Sequence, residues 1–112
     1  MSHDTKKFYF ILEKIEDINL FKNRFNTIKE LLSDKMGFDA TLMCLLQIGE
    51  SLNKLTKLYT KLDKDDIKGS YDVRNFIAHD YEGVNKTIIE SIIREHTEKL
   101  KITIEEILKE ED

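Results

Sequence analysis

The feature that most limits the fold of this chain is the spacing of its apolar residues in a sequence that has almost no turn formers. The 112 residues include no proline and only four glycines, whereas β architectures need turn residues at short intervals. The apolar side chains instead recur at steps of three and four residues, which is the period of one face of an α-helix. We therefore predict an all-α protein.

Length and charge limit what such a chain can be. Because 112 residues have room for one hydrophobic core, we expect a single domain over residues 1–112. Eighteen basic and 22 acidic residues give a net charge of −4, so binding to nucleic acid would need a locally basic cleft. Cys44 is the single cysteine, which excludes an internal disulfide and favours the cytoplasm. The sequence has no signal peptide and no long apolar run, so we expect no membrane association.

Four amphipathic segments predict a four-helix bundle. The first should begin near Asp4 or Thr5, bend or break around residues 20–26 and resume over residues 27–34. Gly37 is predicted to stop this piece, and Asp39 to cap a second helix over residues 40–59. Gly49 lies inside that helix at a cost of about 1 kcal/mol relative to alanine. It either permits the close approach of a neighbouring helix or is a tolerated accident.

The second half of the bundle follows a polar connector predicted over residues 61–70. Ser70 or Asp72 is expected to cap the third helix, which should end near His79. Asn85 is expected to cap the fourth helix, with a distortion near residues 101–103. The aspartates of the connector lack the spacing of a calcium loop, and the three histidines lack the spacing of metal ligands. We therefore expect neither a metal nor a cofactor.

The candidate site lies in one octet, Arg74-Asn75-Phe76-Ile77-Ala78-His79-Asp80-Tyr81. His79 can move a proton near neutral pH, and Arg74 can neutralise charge that develops on phosphate oxygens. On a straight helix these two residues are about 140° apart, whereas Asn75 and His79 share a face. Convergence therefore requires a helix loosened at His79, an arginine side chain that wraps back, or a second copy of the chain.

These residues resemble the Arg-x4-His-x-Tyr signature of the HepT-like toxin ribonucleases in the HEPN superfamily. The stretch Gln47-Ile48-Gly49-Glu50 is similar to one on the second helix of that family. On general grounds, however, residues such as Gln47 and Glu50 more often lie on the solvated surface than in a site. Asp39-Ala40 also stands where the family often has an acidic residue followed by alanine. The chain departs from the family by lacking tryptophan and proline in the connector. It also lacks a proline in the last helix, where Thr97 lies nearby.

The resemblance implies a dimeric four-helix bundle (HEPN-like) in which the arginine and histidine of both protomers face a common groove. It implies a toxin that is a metal-independent endoribonuclease acting on tRNA or mRNA. Arg74 and His79 would be catalytic with the support of Asn75, through attack of an RNA 2′-OH on the adjacent phosphate. The implied partner is a minimal nucleotidyltransferase antitoxin, which would silence the toxin by adenylylation of Tyr81.

Less specific interpretations stand beside this one. The chain could be a catalytically inactive HEPN-type binding module that docks a nucleotidyltransferase or a nucleotide, or a purely structural helical dimer. Arg74 and His79 would then be an ordinary salt-linked helix end, and the Tyr81 hydroxyl would be buried and bonded to the backbone. If the chain does bind RNA, we predict a locally positive cleft formed by Lys68, Arg74 and Arg94.

Overall fold

The computed structural model describes residues 1–111, and the regular structure in that range is helical throughout. The elements are α1 (His3–Asn23), α2 (Ile28–Ser33), α3 (Lys35–Asn53), α4 (Lys64–His79), a 3-10 turn (Tyr81–Gly83), α5 (Lys86–Ser91), a π turn (Ile92–His96) and α6 (Thr97–Glu111). Helix α5, the π turn and α6 follow one another without a break and form one long rod. The rod together with α1, α3 and α4 gives the predicted all-α bundle, and α2 is a short addition to it.

Helix α3 is the centre of the bundle, because α1 and α4 both pack against it. Helix α6 also packs against α1. The apolar spacing of α1, α3 and the last helix marks side chains that form the buried core: Phe8, Ile11, Ile15 and Ile18; Leu42, Leu45, Ile48 and Leu52; Ile104 and Ile107. The prediction is wrong for Ile88, which the same spacing assigns to the buried side of the last helix but which is 57% exposed. No helix in the described part of the chain is long and apolar enough to cross a membrane.

Helices α3 and α4 approach each other closely at Gly49. A Cβ atom at Gly49 would lie 2.5 Å from the carbonyl oxygen of Ser70 and 2.8 Å from Cβ of Arg74. Both distances are shorter than van der Waals contact, so only glycine lets the two helices meet at this separation. The prediction of a close helix approach at Gly49 is confirmed, and the residue it meets belongs to the candidate site.

The first helix begins earlier than predicted. Ser2 caps α1 by accepting a hydrogen bond from the backbone N–H of Thr5 at 3.1 Å, so the prediction of a cap at Asp4 or Thr5 is wrong. Asp4 is instead buried and accepts hydrogen bonds from the Thr56 N–H at 2.9 Å and the Tyr59 hydroxyl at 2.7 Å. Burial raises the pKa of Asp4, but these hydrogen bonds outweigh burial and lower its pKa.

The start of α3 also differs from the prediction. Asp34 caps the helix through a hydrogen bond from the Gly37 N–H to Oδ2 at 2.8 Å. Gly37 therefore lies in the first turn instead of ending a helix, and Asp39 lies inside α3 instead of capping it. Gly37 serves packing, since a Cβ there would lie 2.6 Å from the carbonyl oxygen of Leu31. The helix ends at Asn53, before the predicted end at residue 59.

The predicted connector over residues 61–70 ends too late, because α4 already begins at Lys64 with Asp63 as its cap. The Asp65 N–H donates to Oδ1 of Asp63 at 2.8 Å, so caps at Ser70 or Asp72 are wrong. Ile77 is the one residue of α4 that is fully buried, which explains why this helix looks like a polar connector in the sequence. The predicted cap at Asn85 is confirmed, as is the break between α1 and α2.

The last helical rod is distorted at residues 92–96, and the prediction of a distortion at residues 101–103 is wrong. The backbone N–H of Thr97 bonds to the carbonyl of Ile92, five residues back. The Thr97 hydroxyl donates to the carbonyl of Ile93 at 2.8 Å. In a regular α-helix that carbonyl would accept a hydrogen bond from the Thr97 N–H. In the π turn the Thr97 hydroxyl takes the place of this N–H as the donor.

Candidate active site

Arg74 is fixed between α3 and α4 by a carboxylate from α3. Its Nε and Nη2 donate to Oε1 of Glu50 at 3.0 Å and 2.8 Å, and its Nη1 donates to Oδ1 of Asn75 at 3.0 Å. The guanidinium also lies 5.7 Å from the ring centre of Tyr71. The Arg74 side chain is 26% exposed, so it is held firmly and still open on one side. Glu50 is therefore an ion-pair partner, and the prediction of solvated surface is wrong for it.

His79 is the last residue of α4 and is exposed. It makes no side-chain hydrogen bond to any residue that the structure describes. Because α4 remains a regular α-helix up to His79, the angle of about 140° to Arg74 is retained. Arg74 also turns towards Glu50 instead of wrapping back along its own helix. Neither single-chain route to convergence is present, and one chain holds Arg74 and His79 apart.

Asn75 bonds to Arg74 and shares a helix face with His79. Its Oδ1 accepts the hydrogen bond from Arg74, and it lies four residues before His79 on the same face of α4. Asn75 is half-buried. Asn75 can therefore restrain Arg74 from a position on the helix face that it shares with His79.

Tyr81 lies in the 3-10 turn after α4 and reaches back to the start of α3. Its hydroxyl donates to Oδ1 of Asp39, and its ring packs edge-on against Phe38 at 5.7 Å between centres. Partial desolvation of the hydroxyl, followed by the Asp39 carboxylate, raises the pKa of Tyr81 to about 12. The bond from Tyr81, followed by the ion pair with Lys35, lowers the pKa of Asp39. The alternative of a buried hydroxyl bonded to the backbone is wrong, since Tyr81 is exposed and bonds to a side chain.

The three cations predicted to form a positive cleft are each paired with an acidic side chain. Lys68 lies 2.9 Å from Asp72, and Arg94 lies 3.0 Å from Glu90. Arg74 is paired with Glu50. In one chain their charges are therefore largely balanced by near neighbours.

Cys44 is buried, and burial followed by the Asp17 carboxylate raises its pKa to about 11. Cys44 therefore fills core space and is a poor candidate for a nucleophile, because the nucleophilic form of cysteine is the thiolate. Among the residues that the structure describes, no group of three or more histidine, cysteine, aspartate or glutamate side chains is arranged to hold a metal ion.

The sequence model that describes the HepT-like ribonuclease family matches residues 11–107 of this chain. This chain belongs to the HepT-like ribonuclease family. The HepT-like chain is also 34% identical over 109 residues to a protein of Methanocaldococcus jannaschii that is named as a proposed RNase, and the match covers 96% of this chain and 89% of that protein. No solved structure matches the present chain at a comparable level. The family and the name of this relative support a function of the RNase type.

Two residues outside the motif of this HepT-like chain contact it, and the motif alone does not predict them. Glu50 holds Arg74, and Asp39 holds Tyr81. Both residues lie in stretches that resemble the family, Gln47-Ile48-Gly49-Glu50 and Asp39-Ala40. That resemblance does not reveal their contacts with the motif, which span 24 and 42 positions of sequence.

Proposed function

We propose that this protein is the toxin of a toxin–antitoxin system and cleaves RNA without a metal ion, at a groove shared by two copies. The observation that carries the proposal is the fixed guanidinium of Arg74. Glu50 and Asn75 hold it at three of its N–H groups, so it is oriented before any substrate arrives. A preorganised cation of this kind suits charge that develops on a phosphate during reaction.

The chemistry is attack of a 2′-OH on the adjacent phosphorus. His79 takes the proton of the 2′-OH or delivers a proton to the departing 5′ oxygen, and Arg74 donates hydrogen bonds to the non-bridging oxygens of the phosphorane. The bond from phosphorus to the 5′ oxygen breaks, which leaves a 2′,3′-cyclic phosphate and a 5′-hydroxyl. Because the nucleophile belongs to the substrate, DNA is not cleaved.

A second copy is needed because one chain holds Arg74 and His79 apart. In a two-fold dimer each copy presents the same face to the other, so the arginine of one chain can face the histidine of its partner. The regulation proposed for this site is adenylylation of Tyr81 by a partner nucleotidyltransferase in the cytoplasm. That reaction requires the Tyr81 hydroxyl to leave the Asp39 carboxylate, which accepts its hydrogen bond in the free chain.

The test is cleavage of an RNA pool by purified protein in the presence of EDTA, after mass spectrometry has shown that Tyr81 is unmodified. We expect Arg74→Ala and His79→Ala each to lower the rate by roughly 10²-fold or more. Arg24→Ala is the matched control, because it removes an exposed arginine at the end of α1 that belongs neither to the motif nor to the predicted cleft. Unmodified wild-type protein that cleaves no RNA would refute the ribonuclease and favour the inactive binding module.

Co-expression of the Arg74→Ala and His79→Ala chains tests the shared groove. Random pairing makes half of the dimers mixed, and one of the two Arg–His combinations in a mixed dimer is intact. We expect the mixture to recover about a quarter of wild-type activity if the site combines residues of two copies. Activity no higher than that of either variant alone would show that the site does not form across the dimer.

A further inference from the structure

The contacts of Arg74 leave a defined part of its guanidinium unoccupied. An arginine side chain carries five N–H groups. Glu50 accepts from Nε and from Nη2, and Asn75 accepts from Nη1. Among the described residues, one N–H on Nη1 and one on Nη2 therefore have no partner. Two such donors on one planar group match two oxygens of a phosphate.

We propose that Glu50 is a positioning residue, which aims these two free N–H groups at the phosphodiester. This inference rests on the proposed function. Glu50 does not touch the substrate in this arrangement; it acts through Arg74. A single oxygen of Glu50, Oε1, accepts both bonds, at 3.0 Å and 2.8 Å. If the guanidinium turned within its own plane, at least one of these bonds would break.

The backbone explains why a carboxylate from α3 can do this. Gly49 lets α4 approach α3 until the Cβ of Arg74 lies against it. Glu50 follows Gly49 directly, so its carboxylate starts next to the arginine stem. The Glu50 side chain is 34% exposed, which leaves the ion pair close enough to water for an RNA phosphate to reach its outer side.

Positioning by a negative charge has a signature that a purely structural role lacks. The carboxylate repels RNA phosphates, so its removal cannot weaken the electrostatic part of RNA binding. Its removal does free the guanidinium, so the chemical step slows. We therefore expect kcat and RNA affinity to respond in different ways.

The experiment compares Glu50→Ala and Glu50→Gln with Glu90→Ala, which removes the carboxylate of the exposed Arg94 pair. We expect Glu50→Ala to lower kcat by roughly 10- to 100-fold, with partial recovery in Glu50→Gln because its amide oxygen still accepts a hydrogen bond. RNA affinity, measured with each change added to His79→Ala, should be unchanged or tighter. Glu90→Ala should leave kcat unaltered. A kcat that is unchanged or higher in Glu50→Ala overturns the proposal, and so does a loss of both kcat and affinity in step with a loss of folded protein.

A second measurement does not depend on activity. The chain has three arginines, Arg24, Arg74 and Arg94, so the Nε–Hε region of its heteronuclear NMR spectrum is simple and Arg74→Lys assigns the site signal. We expect that signal to be sharp in wild type and to broaden or move to the position of free arginine in Glu50→Ala. If wild type cleaves no RNA, the proposed function fails, and this signal still decides whether Glu50 fixes Arg74. An identical signal in Glu50→Ala overturns the positioning role even in an active enzyme.

Discussion

Gly49→Ala tests the close helix approach on which the site depends. The added Cβ would start 2.5 Å from the Ser70 carbonyl oxygen, whereas ordinary contact begins at 3.4 Å, so α4 must retreat by about 0.9 Å. The neighbour is backbone, so no side-chain rotation can relieve the contact. Overpacking of this kind costs about 1–3 kcal/mol, and alanine returns about 1 kcal/mol of helix propensity. We expect a net loss of up to about 2 kcal/mol in the free energy of unfolding.

The same displacement should affect the reaction more than it affects stability. Arg74 moves with α4 while Glu50 stays on α3, so the bonds of 2.8 Å and 3.0 Å between them are lost. A misplacement of about 1 Å costs roughly 10²-fold in rate, and RNA cleavage should fall by that order.

Gly69→Ala is the matched control for this change. No atom lies within 4 Å of a Cβ added at Gly69, so this change in α4 should stabilise the protein by up to about 1 kcal/mol and leave cleavage intact. Urea unfolding followed by circular dichroism measures both variants. If Gly49→Ala proved as stable and as active as Gly69→Ala, the reasoning from the helix contact would be refuted.

Three further changes isolate single interactions. Asp39→Asn should lower the pKa of Tyr81 from about 12 towards its ordinary value of 10.0. The chain has four tyrosines and no tryptophan, so an ultraviolet titration compared with that of Tyr81→Phe isolates this pKa, and an unchanged value would contradict the contact. Asp4→Asn should lower the free energy of unfolding by roughly 2 kcal/mol near neutral pH. Because folding lowers the pKa of Asp4 below 3.8, this difference should persist above about pH 4 and vanish as the pH falls through the folded-state pKa. Thr41→Val should raise the free energy of unfolding by about 1 kcal/mol, since the Thr41 hydroxyl is buried and has no hydrogen-bond partner among residues 1–111. Thr97→Val, which removes a bonded hydroxyl, should lower it, and equal effects in both variants would refute this distinction.

Helix content could be predicted from the sequence because apolar periodicity reports burial directly. The stripes of α1 and α3 belong to helices whose buried faces are continuous. Helix α4 gave no such stripe over its first turns, because Ile77 near its end is its one buried residue and Lys64 and Lys68 are exposed. The local pattern of a solvated helix and that of a polar loop are alike, so its start could not be found this way.

Capping residues failed for a different reason. Asp4 and Asp39 are both good caps by residue type, but each carboxylate serves a distant hydroxyl, that of Tyr59 and that of Tyr81. Local propensity cannot reveal a partner more than 40 positions away. The motif residues were found because their chemistry is recognisable by type, whereas the direction in which Arg74 points depends on Glu50 and could only come from the packed structure.

The π turn at Ile92–His96 makes the last rod tolerant of a change in length at one place. A π turn contains one residue more than an α-helical turn, so it behaves as an insertion that the helix has already absorbed. Deletion of a single residue from this turn would restore a regular α-helix and leave Ile104 and Ile107 facing the core. The same deletion further along, within α6, would rotate every later side chain by about 100° and carry Ile107 out of the core.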